Sequence, residues 1–136
     1  MTFGDKLKSI RIGTNMTQEE LAKRLGLARK TIRMYEAGET IPRFARIYEQ
    51  LSEIFGTDVD FWKENRERDF ETAANIAYGA EGKIQAHRLL ESAAGLFAGG
   101  SLSDEDKEEV YIALQKIYWE IKEEKNAQTQ DTDLDT

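Results

Sequence analysis

Residues 17–38 decide the fold and carry the sequence TQEELAKRLGLARKTIRMYEAG. Thr17 with Glu20 three positions later is typical of a capping box, in which the hydroxyl accepts the third helical N–H and the carboxylate accepts the N–H of the cap residue. We therefore predict that a helix begins at Thr17 and ends at Gly26, because glycine suits the left-handed position after a helix. A second helix follows after only two residues and is closed by Gly38. So short a connection makes the two helices cross steeply.

Two helices joined by a tight turn that contains glycine predict a helix-turn-helix. Ala22 is small where the second helix should cross the first, and four apolar residues supply a shared core: Leu21, Leu25, Leu27 and Ile32. An ordinary helical hairpin needs similar caps and a similar apolar stripe. The pattern alone therefore favours DNA binding and leaves a plain hairpin as the alternative.

The same stretch resembles the Cro/phage-repressor (xenobiotic-response-element-type) helix-turn-helix family. The resemblance rests on the TQEELA opening, the LG turn, the TI pair of the recognition helix and the YE-x-G ending, and it extends from about Phe3 to about Trp62. Ala28 departs from the family pattern, in which Ser or Thr often caps the recognition helix, and alanine caps a helix less well than serine by about 1 kcal/mol. In the family the acid of the YE-x-G ending pairs with an arginine of the first helix, which implies an ion pair between Glu36 and Arg11.

The resemblance implies an all-α domain of five short helices, similar to that of lambda repressor, and the flanking sequence can supply the other three. Apolar residues at helical spacing predict a helix over about residues 3–12: Phe3, Leu7 and Ile10. A second apolar stripe follows Pro42 and ends at Gly56: Phe44, Ile47, Leu51, Ile54 and Phe55. A short helix around residues 58–62 would close the core.

The outer face of the recognition helix carries the candidate DNA-reading side chains. Ile32 faces inward with Tyr35, which leaves three cations and a methionine outside: Arg29, Lys30, Arg33 and Met34. By resemblance, Arg29, Lys30 and Met34 match the family's base-contacting positions, and Arg33 lies beside them. Cationic side chains can donate to guanine O6 and N7, and a methionine can pack on a thymine methyl group. A merely solvated helix surface is the alternative.

Four further residues are assigned to the DNA-binding surface. Gln18 matches the family's phosphate-contacting position, where a side-chain amide and free helix N–H groups face the DNA backbone. Thr17 begins the same helix and belongs to the same predicted site. Arg43, just past Pro42, is a second candidate phosphate contact, and Thr31 either faces phosphate or caps locally.

The charge of the chain is unevenly divided. Residues 1–50 carry ten basic and six acidic residues, a balance of +4, whereas the rest of the chain amounts to -11. The N-terminal part can therefore approach an anion that the C-terminal part would repel. Because +4 is small, we expect one copy to bind double-stranded DNA weakly and with a steep salt dependence, so that specificity needs a dimer on half-sites about 34 Å apart.

Residues 1–63 are predicted to form the DNA-binding domain and residues 64–126 a helical oligomerisation region. The charged run 64–69 is expected to be a linker or the solvated start of a helix. The stretch after it is rich in alanine, which favours helix and close packing. Gly79 and Gly82 are expected to break that stretch into two helices.

The last predicted helix, residues 104–125, begins after the capping residue Ser103. It carries apolar residues at 4-3-4 spacing, typical of a packing seam: Val110, Leu114, Ile117 and Ile121. We expect the seam to be covered in a homodimer formed through residues 70–125, with packing inside one chain as the alternative. Residues 96–126 are similar to the C-terminal helical segment of some repressors from mobile elements of Gram-positive bacteria. Residues 127–136 are polar and acidic, and we expect them to be disordered.

Other classes of protein fit the sequence poorly. With no Cys and a single His, His87, neither a cysteine-ligated zinc site nor a Ser-His-Asp triad can be built, so we expect no enzyme and no catalytic, cofactor-binding or metal-binding residues. No apolar run approaches the roughly 20 residues of a membrane span. Asp5 and Lys6 place charge where a signal peptide would be apolar, and we expect a cytoplasmic protein.

The main rival is a protein-interaction role, in which the acidic C-terminal part captures a partner. An antitoxin that binds a toxin, the target of an anti-repressor, and a repressor cleaved by a separately encoded protease are alternatives that one sequence does not separate. The identity of a neighbouring gene would discriminate between them. A purely structural helical dimer is disfavoured by the cations of the recognition helix.

Overall fold

The computed structural model describes the backbone of residues 1–135 and the side chains of residues 1–127. Seven helices make up this part of the chain: α1 (Phe3–Gly13), α2 (Gln18–Leu25), α3 (Arg29–Glu36), α4 (Ala45–Phe55), α5 (Val59–Lys63), α6 (Asp69–Phe97) and α7 (Asp104–Asp135). The described residues contain no strand, which confirms the predicted all-α fold. None of these helices has the length and apolar character that a membrane span requires.

Local capping chemistry builds the helix-turn-helix where the sequence predicts it. The Thr17 hydroxyl accepts the Glu20 backbone N–H at 3.0 Å, which is the first of the two hydrogen bonds of the predicted capping box. Gly26 ends α2 with φ 68, a left-handed conformation that glycine adopts without strain. Ala28 precedes α3 and makes no side-chain capping bond, as its methyl group requires. The complete capping box of the domain lies instead at Thr2, before α1.

The core of α1 to α5 contains the predicted apolar residues with one exception. Large side chains from all five helices are buried in it: Leu7, Ile10, Leu21, Leu25, Ile32, Ile47, Leu51, Phe61 and Trp62. Phe44, predicted to begin the stripe of the fourth helix, is 66% exposed, so that assignment was wrong. The physical reason is that Phe44 is the extended cap residue before α4, which leaves its side chain outside the helical register.

Helix α6 bends sharply at Gly79, whose φ of 73 and ψ of -162 are accessible only to glycine. The predicted break at Gly79 is therefore confirmed, whereas Gly82 lies inside the second arm. A Cβ atom at Gly82 would come within 2.7 Å of the Ala74 carbonyl oxygen, so glycine is needed there for close packing of the two arms. His87 Nδ1 and Glu71 Oε1, 2.6 Å apart, join the arms further from the bend.

The charged run 64–69 connects α5 to the start of α6 and is mostly exposed, as the sequence predicted, but its last residue, Asp69, is buried. Lys6 Nζ donates to Asp69 Oδ2 at 2.8 Å. Both side chains are buried, with exposed fractions of 0% for Lys6 and 1% for Asp69. Lys6 also donates to the carbonyl oxygens of Phe61 and Glu64. The Arg66 backbone N–H donates to the same Asp69 carboxylate. The Asp69 carboxylate, which the sequence pattern assigns to solvent, is buried because Lys6 and the Arg66 backbone N–H satisfy it.

Helix α7 packs against both α1 and α6. Trp119 is buried against Phe70, with the two ring centroids 5.5 Å apart, and Asn126 Nδ2 donates to Asn15 Oδ1 at 2.9 Å. The helix continues to Asp135, beyond the end predicted near residue 125. Thr136 and the side chains of residues 128–136 lie outside the described part of the chain, so the predicted disorder of residues 127–136 stays a prediction.

We expect Gly13→Ala to destabilise the protein because α1 and α6 touch at this glycine. A Cβ atom at Gly13 would lie 2.4 Å from Ala77 Cβ and 2.8 Å from Ala77 Cα, and the helix backbone cannot move away cheaply. Overpacking of this kind lowers the free energy of unfolding by about 1–3 kcal/mol, which urea unfolding measures. Gly95→Ala is the control, since a Cβ atom there meets open space. Equal stability of the two variants would contradict the close approach.

Candidate nucleic-acid interface

Helix α3 presents its cations to solvent because its apolar residues are held in the core. Ile32 and Tyr35 are buried, and Arg29, Lys30 and Arg33 are exposed on the opposite side of the helix. Met34 is half-buried at the edge of this face, where part of its side chain remains accessible. The three predicted base-contacting residues and Arg33 therefore share one surface, and no acidic residue of α3 interrupts it before Glu36. Side chains of this type can donate to guanine and pack on thymine.

The start of α2 is fixed by an ion pair that the family resemblance implied. Arg11 Nε donates to Glu36 Oε2 at 2.7 Å and Arg11 Nη2 donates to Glu36 Oε1 at 2.9 Å. A third bond, from Arg11 Nη1 to the Met16 carbonyl oxygen at 2.9 Å, holds the loop before α2. Gln18 Nε2 donates to Glu36 Oε1 at 3.3 Å, so the candidate phosphate contact is oriented by the same carboxylate. The pairing of Glu36 with Arg11 is confirmed.

The remaining predicted site residues, Thr17, Thr31 and Arg43, differ in how far they are exposed. Thr17 is exposed at the start of α2 and caps it, whereas Thr31 is half-buried in the first turn of α3. Arg43 is exposed in the segment between α3 and α4. Arg43 is thus free to meet an approaching phosphate, and the half-buried position of Thr31 leaves only part of its side chain for such a contact.

Arg46 is a further exposed cation, which the sequence analysis did not assign to the candidate surface. It is exposed in the first turn of α4. Burial raises the pKa of Tyr35, and the positive charges of Arg43 and Arg46 partly oppose that rise. A cation three residues after Arg43, near the start of the predicted fourth helix, was the signal available in the sequence.

The histidine and acidic residues outside this surface are the other candidates for a functional site. Within the part of the chain that the structure describes, no group of three or more His, Asp or Glu side chains is placed to hold a metal ion. His87 is exposed and lies between Glu71 and Glu91. The hydrogen bond with Glu71 and the charge of Glu91 raise the pKa of His87, as expected for a surface histidine between two acids.

Comparison with known proteins shows which family the chain belongs to. A helix-turn-helix family model matches residues 7–62, the stretch that runs from α1 to α5. The chain belongs to the helix-turn-helix family of transcriptional regulators. Members of this family bind DNA, and α2 and α3 both lie within the matched residues.

Some relatives of this helix-turn-helix regulator match most of its length and others only the first domain. The SPbeta prophage-derived, uncharacterised regulator YonR of Bacillus subtilis is 28% identical over 121 residues, 87% of this chain and 98% of that protein. The cryptic phage CTXphi repressor RstR of Vibrio cholerae is 24% identical over 115 residues, 85% of this chain and 86% of the repressor. The activator BcrR of Enterococcus faecalis is 35% identical over 60 residues, which cover 44% of this chain and only 29% of BcrR. No solved structure gives a significant match.

We expect Glu36→Gln to destabilise the regulator and to loosen Gln18. The substitution removes the charge that accepts two hydrogen bonds from the partly buried Arg11, and such bonds contribute about 1.5–3 kcal/mol to the free energy of unfolding. Urea unfolding checks this magnitude. Glu39→Gln, at an exposed acid just after α3, is the matched control and should change stability by less than about 0.5 kcal/mol. Similar losses in both variants would show that the Arg11 pair does not hold the domain.

Proposed function

We propose that this regulator is a repressor that binds a palindromic operator as a dimer. The observation that carries the proposal is the outer face of α3, where Arg29, Lys30 and Arg33 are exposed together in a chain whose net charge is -7. An acidic protein that gathers cations on one short helix is suited to approach an anion with that helix first. The helix belongs to a helix-turn-helix, whose second helix enters the major groove.

Each residue of the surface has a proposed role. Arg29 and Lys30 donate to guanine edges, Met34 packs on a thymine methyl group, and Arg33 supports them from the same face. The other side chains contact phosphates and set the position of α3 in the groove: Thr17, Gln18, Thr31, Arg43 and Arg46. The bonds of Arg11 to Glu36 and of Gln18 to Glu36 support this assignment, because they fix α2 relative to α3 before DNA arrives.

The small net charge of the DNA-binding part is the reason for proposing a dimer. Residues 1–50 carry a balance of only +4, so few phosphates are neutralised by one copy and binding by one copy is weak. Two copies related by a two-fold axis read two half-sites about 34 Å apart, which gives a palindromic operator. We propose repression by analogy with RstR, which is named a repressor. The relative BcrR is named an activator, so activation is the alternative sign of regulation. A protein with this role acts on DNA in the cytoplasm.

The test begins with binding of the full chain to a library of genomic fragments that includes the protein's own upstream region. The proposal predicts one or a few preferred fragments and a footprint with two-fold symmetry. A reporter gene placed downstream of the preferred fragment should be less active when the protein is expressed. Equal binding to all fragments would reject sequence-specific regulation, an asymmetric single footprint would reject the dimer on a palindrome, and a more active reporter would reject repression.

A further inference from the structure

The apolar seam of α7 lies on a side of the helix that its own chain covers only in part. Tyr118 faces α6, where its hydroxyl donates to the Gly82 carbonyl oxygen at 3.3 Å, and Asn126 faces the α1 end. The seam is formed by Val110, Leu114, Ile117 and Ile121. Ile117 is 52% exposed and Ile121 47% exposed, whereas Val110 and Leu114 are half-buried. Four aligned apolar residues with this exposure are typical of a helix that packs against another chain.

We propose that the seam pairs with the same seam of a second copy and that the two α7 helices run antiparallel. This inference rests on the proposed dimeric function and gives that dimer its interface and its direction. The partner is a second copy of this chain, and the two-fold axis passes between Leu114 and Ile117, perpendicular to α7.

The spacing of the seam suits such an axis. Val110, Leu114, Ile117 and Ile121 are separated by four, three and four residues, an order that is the same in both directions. An antiparallel pair therefore places Val110 against the partner's Ile121 and Leu114 against the partner's Ile117, over roughly 16 Å of helix. Every member of the seam meets an apolar residue in this arrangement. A parallel pair would also match apolar residues, so the spacing permits the antiparallel direction without selecting it.

The charges just beyond the seam select the direction. Lys107 stands one turn before Val110, and Glu124 stands one turn after Ile121, in line with the seam. Glu124 is exposed, and the nearest acid to Lys107 is Asp104 at 4.0 Å, the limit of an ion pair. In the antiparallel pair, Lys107 meets the partner's Glu124 at both ends of the interface. In a parallel pair, Lys107 would meet the partner's Lys107 and Glu124 the partner's Glu124, and like charges would repel.

The absence of cysteine from the natural chain makes the direction directly measurable. We would prepare the full-length variants Val110→Cys and Ile121→Cys, oxidise each alone and then as an equal mixture, and separate the products by size. A disulfide needs Cβ atoms about 3.5–4.5 Å apart. The proposal predicts that the mixture gives a disulfide between one Val110→Cys chain and one Ile121→Cys chain, and that each variant alone gives little dimer. Efficient self-linking of both variants would establish a parallel pair and overturn the proposal.

A charge exchange tests the same pairing without cysteine. Lys107→Glu should weaken the dimer roughly tenfold in sedimentation equilibrium, because it sets an acid against the partner's Glu124. Adding Glu124→Lys in the same chain should restore the wild-type affinity, since the antiparallel contacts are again between opposite charges. Lys83→Glu, at an exposed lysine of α6, is the matched control and should leave the dimer unchanged. Circular dichroism confirms that each variant is folded.

The remaining outcomes also decide the matter. A wild-type chain that is monomeric at tens of micromolar, or a dimer that is insensitive to both charge variants, overturns the seam as an interface. Neither measurement contains DNA. If the antiparallel dimer is found but no DNA fragment is preferred, the proposed function fails and this inference stands. If a preferred fragment is bound by a dimer that links through other residues, the inference fails and the proposed function stands.

Discussion

Asp69→Ala lowers the free energy of unfolding by about 3–5 kcal/mol, because it leaves the buried Lys6 ammonium without its counter-charge. In the wild-type protein Lys6 keeps two carbonyl oxygens as further acceptors, but neither carries a full negative charge. The cost arises from an uncompensated charge in a site that excludes water. Urea unfolding at neutral pH measures it.

A double variant separates the ion pair from mere loss of packing. Lys6→Met/Asp69→Leu removes both charges and keeps apolar volume, so it should be markedly more stable than Asp69→Ala. Glu53→Ala, at an exposed acid of α4, is the control for removal of one carboxylate and should be nearly neutral. If the double variant were no more stable than Asp69→Ala, the buried pair would not be the source of the loss.

The same pair gives stability a pH dependence on the acid side. Burial alone would raise the pKa of Asp69, but the hydrogen bonds from Lys6 and from the Arg66 backbone outweigh it and hold the pKa below its usual range. A lowered folded pKa means that the stabilisation is complete above the unfolded value of about 3.9 and is lost as the pH falls towards the folded pKa. Unfolding measured from pH 6 to pH 3 should therefore be less pH-dependent in Asp69→Asn than in the wild-type protein.

Arg29→Ala/Lys30→Ala is expected to reduce the affinity for the operator by roughly 10²- to 10⁴-fold, the loss of two base contacts. Both residues are exposed, and within the described part of the chain neither donates to another side chain, so the variant should keep its fold. Fluorescence anisotropy on the preferred genomic fragment measures the affinity, and urea unfolding confirms unchanged stability.

A control of equal charge makes this result specific to α3. Lys83→Ala/Arg88→Ala removes two exposed cations from α6 and changes the net charge by the same amount. We expect it to bind the operator within a fewfold of the wild-type affinity, because non-specific electrostatics depends on phosphate contacts that these residues do not make. Equal losses in the two variants would mean that total charge, rather than the α3 surface, sets the affinity.

The helix-turn-helix could be predicted because its determinants are local. Thr17 and Gly26 act within one turn of their own positions, and the apolar spacing of Leu21 and Leu25 defines one helix face. The pair of Arg11 and Glu36 came from the family resemblance, since nothing in periodicity joins residues so far apart. The long-range connection of Lys6 to Asp69 was missed for the same reason: pattern analysis assigns charged residues to solvent, and their burial depends on three-dimensional packing.

In the C-terminal half, too, some features could be predicted from the sequence and others could not. Gly79 was expected to interrupt the helix because a positive φ is open to glycine. The sequence did not show which of the two nearby glycines, Gly79 or Gly82, carries the bend, and the backbone angles place it at Gly79. Phe44 looked like a core residue by spacing and became a cap because α4 begins one residue later. In the candidate site, the positions on α3 followed from periodicity, whereas the exposure of Arg46 became apparent only from the position of α4 in the fold.

The ability of the α3 surface to distinguish DNA sequences is tested most directly by the ratio of two affinities. The affinity of the wild-type protein for its preferred genomic fragment would be compared with its affinity for unrelated DNA of equal length, across a salt series. We predict a preference of about 10³-fold or more that persists as salt weakens both interactions. A ratio near one at every salt concentration would show that the cations of α3 bind DNA only as charge, and would contradict the claim.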